Sequence, residues 1–407
     1  MGEKFLTVYS PDEVIEKILN LFIINKKNLS IPVENSYGYY AANDVYSQID
    51  LPPFRKSLVD GFAVNSKDVK GASFENPVFL KNLGEIKIGT KPEILISNGT
   101  TCYVPTGGVV PEGADAVVMV EDSEVKGDTV FIFKDIQSTQ NMFEEGSELK
   151  KGSVILRKGE RVDERIIGLL NFVGVRFVDV LSPIKIGIIS TGDEISDEYP
   201  LPFGKIFDYN GITLKYLILK DGFSPSFYGV IKDNAINIKY ALSIALQEND
   251  LVIMTGGTSK GNFDLTVDTI NSLGKPGVIV HGLNVSPGKP TIFGVVNGKL
   301  IVGLSGNPLA AFMIYSTVIR KMIFEKLGIR LPLKKVIGKL STQISSRKGR
   351  TEFVPGRLRI ENSDNIIDPL LSDSSFTFIL SDSHGYFKVP QEKEGLLANE
   401  LVEFFLW

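Results

Sequence analysis

Three stretches of this chain place glycine and small polar residues next to an apolar run. Ser190-Thr191-Gly192-Asp193-Glu194 follows Ile184–Ile189, and Thr255-Gly256-Gly257-Thr258-Ser259-Lys260-Gly261-Asn262-Phe263-Asp264 follows Leu251–Met254. Leu304-Ser305-Gly306-Asn307-Pro308 stands just before a long helical stretch. Backbone without side chains lets N–H groups converge on an oxyanion, and a helix N-terminus behind it adds partial positive charge. One Gly-Gly pair alone reads as a tight turn that needs positive φ. Three such loops at strand ends make a candidate nucleotide or phosphate site of Thr191, Gly192, Gly256, Gly257, Ser305, Gly306, Asn307 and Pro308. Ser259 and Lys260 add a hydroxyl and an ammonium, and Lys289, between Gly288 and Pro290, adds a second cation.

The same region carries Asp193, Glu194, Asp233 and Asp264. Carboxylates repel a phosphate unless a divalent cation lies between them, and hard oxygen ligands completed by substrate phosphates suit Mg²⁺. The competing reading makes Asp193 and Asp264 helix caps or turn acceptors. No Gly-Lys-Ser/Thr phosphate loop is present, nor a Gly-x-Gly-x-x-Gly after the first strand, which argues against a P-loop ATPase and a nicotinamide oxidoreductase. One cysteine, Cys102, and two histidines, His281 and His384, leave no disulfide framework and no Cys-rich metal site. His281 after an apolar run and His384 in a polar loop read as structural residues.

These residues need elements to hold them. From Pro183 to about Leu327, apolar strands alternate with helical stretches, which implies a mostly parallel, doubly wound α/β sheet binding ligands beyond its strand ends. The strands are expected at 184–190, 227–231 and 250–255, with helices at 212–220, 234–247, 265–273 and 308–326. Asn297-Gly298 between two apolar runs predicts a hairpin. Ser10-Pro11-Asp12-Glu13 predicts a capping box, with Val14, Ile15, Ile18, Leu19 and Phe22 on one face. Residues 47–147 read as an all-β insertion, and 148–180 contain a helix whose cap is Asp163 and whose buried face is Ile166, Ile167, Leu169 and Leu170. The expected fold is therefore α/β multidomain. Segments 1–46 and 148–180 form a discontinuous domain, 47–147 a β domain, 181–330 the α/β domain and 331–407 a C-terminal β domain.

A length of 407 residues accommodates several cores, and a net charge of −4 recruits neither nucleic acid nor an anionic membrane. The N-terminus lacks the pattern of a secretory signal, and no apolar window is long enough to span a bilayer. The expected location is cytoplasmic.

The motifs, in this order, resemble those of the molybdopterin molybdenumtransferases of the MoeA and gephyrin E-domain type. The resemblance runs through PPF…S..DGFAV at Pro52–Val64, TGG..PEGADAVV at Thr106–Val118, STGDE at Ser190–Glu194 and GKIFDYN at Gly204–Asn210. It continues through GGTSKGNFD at Gly256–Asp264, HGLNVSPGKP at His281–Pro290, LSGNP at Leu304–Pro308 and GRTEFVPG at Gly349–Gly356. It implies an α/β domain like that of molybdopterin adenylyltransferase, the upstream partner, within a homodimer. The implied reaction inserts molybdate or tungstate into adenylylated molybdopterin and releases AMP with Mg²⁺. Asp60, Thr106, Glu194, Asp233 and Asp264 would be catalytic, with Asp60 and Thr106 contributed by the partner subunit, and Asp193, Glu194, Asp233 and Asp264 would hold the metal. Ser259, Lys260 and Lys289 would lie near phosphate or molybdate.

The chain departs from the family pattern in several places. Phe143 and Glu148 replace an arginine and an aspartate, Arg55-Lys56 replace Asp-Asn, Ser286 replaces a lysine and Ser305 a proline. Two alternatives stay open on the same fold: a non-catalytic paralogue that binds molybdopterin or its precursor as carrier or scaffold, and a nucleotide pyrophosphatase on the same α/β module.

Overall fold

The computed structural model describes residues 8–257, 263–371 and 377–407, with backbone alone at Phe263 and Asp264. Helix α1 (Pro11–Leu19) begins with the expected reciprocal cap: Ser10 Oγ accepts from the Glu13 N–H, and the Glu13 carboxylate accepts from the Ser10 N–H at 2.7 Å. Val14, Ile15, Ile18 and Phe22 are buried, and Leu19 is half-buried. The chain divides into two compact units. One holds the segment up to Leu29, Gly38–Tyr40 and Leu181–Trp407; the other holds Ser30–Tyr37 and Ala41–Val180. The N-terminal helix thus packs with the α/β part, because its apolar face joins the core of Tyr315, Val318, Ile323 and Phe324.

The second unit is built on a six-stranded sheet in the order Ala116–Met119, Gly61–Val64, Thr100–Val104, Val78–Glu85, Thr129–Ile132, Ser123–Lys126. Only the pairing of Val78–Glu85 with Thr100–Val104 is parallel. Both faces are covered, one by Phe62, Leu80, Val118 and Ile132, the other by Ala63, Ile96, Val104 and Met142. Cys102 lies in the second layer, where burial pushes its thiol up to about 12. Gly61 admits no side chain, since an added Cβ would lie 2.1 Å from the Val118 carbonyl oxygen. Helix α2 (Glu164–Phe172) is capped by Asp163, whose carboxylate accepts from the N–H groups of Arg165 and Ile166 at 3.0 Å. Of its expected face, Leu170 is buried, while Ile166, Ile167 and Leu169 are half-buried.

The first unit carries the α/β sheet. Its strands in chain order are Lys185–Thr191, Ser224–Ile231, Leu251–Thr255, Pro276–His281, Ile292–Val296 and Lys299–Leu304. In space they run second, first, third, sixth, fifth, fourth; the first four places are parallel, and the last two strands pair antiparallel. Helices α3 (Asn210–Lys220), α4 (Ala235–Glu248) and α5 (Phe263–Leu273) follow the first three strands, and α6 (Pro308–Ile314) follows the sixth. Helices α3 and α6 pack together on one face, α4 and α5 on the other. The strand order reverses between the first and third strands, which is where such sheets open a crevice. The sixth strand arrives through the expected hairpin, with Asn297 at φ 51° and Gly298 at φ 80°.

The stretch expected as one helix over 308–326 contains a π-turn, Tyr315–Ile319, before α7 (Arg320–Leu327), which ends at Gly328 with φ 65°. Around this turn lies a buried ion pair. Arg320 Nε donates to Asp221 Oδ1 at 2.7 Å, the Tyr315 hydroxyl donates to Asp221 Oδ2 at 3.0 Å, and the Tyr40 hydroxyl donates to the Asp221 carbonyl at 3.1 Å. Burial pushes the Asp221 carboxyl up, and Arg320 opposes it. The remaining chain forms a second sheet, where Thr351–Glu361 pairs with both Asp364–Pro369 and Gly385–Val389 and so closes a small barrel. His384 is structural there, its Nδ1 accepting from the Leu358 N–H at 3.1 Å.

A buried carboxylate stripped of its cation is costly. Arg320→Met is expected to lower unfolding free energy by about 3–5 kcal/mol, and Asp221→Leu combined with Arg320→Met by far less. Urea denaturation of the two variants checks this; equal losses would mean that packing, not the stranded charge, sets the cost.

Candidate functional site

The three strand ends are tied together by short polar contacts. Ser190 and Thr191, both buried, finish the first strand. The Thr191 hydroxyl donates to the Thr255 carbonyl at 3.2 Å, and the Thr255 hydroxyl reaches Ser190 Oγ at 3.5 Å. The Gly256 N–H donates to the Leu304 carbonyl at 3.1 Å, linking the third strand to the sixth. Gly256 has φ 89°, and an added Cβ would lie 2.0 Å from the Thr191 carbonyl oxygen. On the other side, a Cβ at Gly306 would come within 3.7 Å of Gly256 Cα. The expected loops around Thr191-Gly192, Gly256-Gly257 and Ser305-Gly306-Asn307 therefore meet. Asn307 caps α6 by accepting from the Ala310 N–H at 3.0 Å, Ser305 Oγ accepts from the Asn307 N–H at 3.2 Å, and Pro308 fills the first helical position.

The acidic residues gather in part. Asp193 Oδ1 accepts from the Asp233 N–H at 3.3 Å, so the ends of the first and second strands place these residues side by side. The Glu194 carboxylate folds back over Gly192: a Cβ at Gly192 would lie 2.7 Å from Glu194 Oε2. Lys205 Nζ donates to the Asp193 carbonyl and pins the loop from beneath. Asp193 and Glu194 are exposed and Asp233 is half-buried. Ser259, Lys260 and the Asp264 side chain lie outside the described residues. Among the described residues no group of three His, Cys, Asp or Glu forms a metal cage. Lys289 is exposed on the loop preceding the fifth strand, next to Gly288, which packs against Ile314.

Two residues of the site were not singled out from the sequence beyond their place in a motif. Asp208 accepts from Ser190 Oγ at 2.6 Å and from the Gly211 N–H at 3.0 Å. Asn210 Nδ2 donates to the Gly306 carbonyl at 2.9 Å, joining the start of α3 to the loop before α6. Gly211 must be glycine, because a Cβ there would lie 2.3 Å from Asp208 Oδ2 and 2.7 Å from Ser190 Oγ. The legible signal was Asp-x-x-Gly at a helix start, an acidic cap followed by a position with no room.

In the second unit, Asp60 and Thr106 come together as a pair. Asp60 Oδ1 accepts from the Thr106 N–H at 2.7 Å and from its hydroxyl at 3.0 Å. Both are exposed. Arg55 is held by the carbonyls of Ala114 at 2.8 Å and Pro111 at 3.1 Å. Gly256→Ala is expected to push the Thr255–Gly257 loop off Thr191. The left-handed backbone alone costs about 1–2 kcal/mol for a non-glycine residue, and the collision adds to it. A lowered Tm, with Gly257→Ala milder because its Cβ would meet only hydroxyl tips, checks this; a wild-type Tm for Gly256→Ala would contradict the close approach.

Comparison with known proteins covers nearly the whole chain. Residues 9–174 match the MoeA N-terminal region (domain I and II), 187–325 a probable molybdopterin binding domain, and 338–407 the MoeA C-terminal region (domain IV). A relative from Methanocaldococcus jannaschii, named for molybdopterin biosynthesis, is 34% identical over 97% of this chain and 96% of its own. The molybdopterin molybdenumtransferase of Staphylococcus epidermidis is 29% identical, covering 98% of this chain and 96% of its own. The crystal structure of the molybdopterin biosynthesis MoeA protein from Pyrococcus horikoshii superposes with a TM-score of 0.83 at 32% identity, covering 98% and 99% of the two chains. With domain content, full-length likeness and strand-end geometry in agreement, the chain belongs to the MoeA family of molybdopterin biosynthesis proteins.

Proposed function

We infer that this chain is a molybdopterin molybdenumtransferase: it takes adenylylated molybdopterin and molybdate or tungstate, inserts the metal and releases AMP. The observation that carries this reading is the convergence of three side-chain-poor strand ends, with the N-terminus of α6 behind one of them. Both substrates are oxyanions, and backbone N–H groups at the end of a helix dipole suit them. A nucleotide pyrophosphatase built on the α/β module alone would leave the insertion and the terminal barrel unexplained, whereas the likeness to relatives covers 97% of the chain or more.

In this reading Asp193, Glu194, Asp233 and Asp264 are the acidic set for Mg²⁺. A cation that keeps several waters and binds through one or two carboxylates plus substrate phosphates does not require a closed protein cage. When bound, it would neutralise charge on the phosphates as AMP departs. The chain's own residues do the rest. The loops at Gly192, Gly256-Gly257 and Ser305–Asn307 seat the phosphates, Ser259, Lys260 and Lys289 attract the oxyanion, and Asp60 with Thr106 approaches from a second subunit. The adenylylated substrate must be supplied by an adenylyl transfer to molybdopterin, so an adenylyltransferase is the upstream partner. Among the described residues no helix is long and apolar enough to cross a membrane; the proposed location is the cytoplasm.

A homodimer also has a surface to form on. On α3, Ile212, Tyr216 and Leu219 recur at one turn's spacing and are exposed, and the preceding loop exposes Tyr199, Phe203 and Phe207. An apolar face of this kind favours association with a second copy. Tyr216→Asp is expected to shift the protein to monomer in light scattering; an unchanged mass would remove this face from the interface.

The deciding experiment is AMP release from adenylylated molybdopterin with Mg²⁺ and either molybdate or tungstate. Release that depends on the oxyanion and falls about 10²–10³-fold in Asp264→Ala, the scale of losing one charge-stabilising group, would establish the transferase and name the metal. Tight binding without release would identify a carrier instead.

A further inference from the structure

Asn210 opens α3 beside the crevice and is only 8% exposed. Its Nδ2 is held by the Gly306 carbonyl, yet its Oδ1 is buried and has no hydrogen-bond partner among the described residues. Its surroundings do not share this deficiency. Ser190 is bonded to Asp208 at 2.6 Å, Asp208 takes the Gly211 N–H at 3.0 Å, and the Gly256 N–H is taken by Leu304 at 3.1 Å. Buried acceptors without donors are few in native proteins, and each calls for a cause. Leucine at this position would fill a similar volume without the buried Oδ1, at the cost of the bond to the Gly306 carbonyl on an exposed residue. A carboxamide there, with its Oδ1 buried and unpartnered, points to a donor that arrives from outside the chain.

We propose that Asn210 reads the substrate: its Oδ1 accepts from an N–H or O–H of the pterin nucleotide seated on the 305–307 loop. This deepens the transferase reading and rests on it. The carboxamide is neutral, so it adds a polar contact beside phosphates without repelling them, as an aspartate would. Its Nδ2 bond to Gly306 fixes which way the amide faces, and Gly306 is exposed and carries no side chain to screen it. The donor belongs either to the pterin or to the adenylate, and separate ligands distinguish them.

The test compares wild type with Asn210→Leu and Asn210→Ala as full-length protein. It measures Tm, the Kd of AMP and of adenylylated molybdopterin, and the KM and kcat of AMP release. The expected result for Asn210→Leu is a Tm close to wild type, because removing the orphaned Oδ1 offsets the lost Gly306 bond, with adenylylated molybdopterin bound about tenfold more weakly, KM raised by the same factor and kcat little changed. Weaker AMP binding as well would put the donor on the adenylate; unchanged AMP binding would put it on the pterin. Wild-type affinity in the variants, or a loss of Tm with KM unchanged, would overturn the proposal and leave a structural asparagine. If neither variant folds, the wild-type Asn210 side-chain amide resonances decide: a shift on titration with substrate supports the contact, and no shift overturns it. A wild-type protein that neither binds nor turns over the substrate would instead defeat the transferase reading itself.

Discussion

Three chain segments can share one small anion only where their backbones approach to contact distance, and side chains forbid that approach. Gly256 meets this constraint most tightly, with the Thr191 carbonyl where its Cβ would be and Gly306 close on the other side. The rest of the α/β unit serves to make that approach possible. Parallel strands with almost wholly apolar sequences are buried on both faces, so their ends stay in register. Helices α3 and α6 lie on the same side and bring two N-termini to one edge. Gly211 repeats the logic at the start of α3, where a methyl group would collide with Asp208 and Ser190.

The electrostatics follow the same division of labour. Deep in the unit, the charge of Asp221 is matched by Arg320 and the Tyr315 hydroxyl at the π-turn, where α3 ends and α7 begins. At the crevice, Asp193 and Glu194 stand exposed, and Asp193 Oδ1 accepts only a long bond from the Asp233 N–H. A carboxylate paired in the core contributes to holding helices together. On the proposed reading, one left in solvent beside the substrate's phosphates would take a hydrated cation without first breaking an ion pair.

Much of this was legible in the sequence because it was written locally. The Ser10–Glu13 cap, the Asn297-Gly298 hairpin and the apolar strands at 185–191 and 251–255 each depend on neighbours a few residues apart. The three strand-end loops were legible for a related reason: glycine beside small polar residues after an apolar run has few uses. What the sequence did not disclose depends on partners far along the chain. The sequence reading joins the N-terminal helix to residues 148–180, and its packing against Tyr315 and Phe324 instead puts it in the α/β unit. The π-turn interrupts a stretch whose apolar period is compatible with an unbroken helix, and it coincides with the Asp221 cluster. Asn210 looks like any helix-start asparagine until Gly306, 96 positions later, is placed against it.

The departures from the family pattern bear on how the oxyanion is held. Phe143 occupies the place of an arginine, on a two-residue strand paired with Lys56-Ser57, and its ring is exposed. Arg55 does not take over, because both of its terminal nitrogens are bonded to the Ala114 and Pro111 carbonyls. Lys56 lies beside Gly107, but an ammonium is a compact point charge and does not reproduce the planar fork of a guanidinium. On the proposed reading, the bound oxyanion is then held less by a side-chain clamp than by the remaining backbone groups of the loops at Gly192, Gly256-Gly257 and Ser305–Asn307, the Gly192 and Gly256 N–H groups themselves being taken by the Ile231 and Leu304 carbonyls. Those groups are set by strand register and by contacts such as Thr191–Thr255 and Asn210–Gly306, and they cannot rotate away as a side chain can.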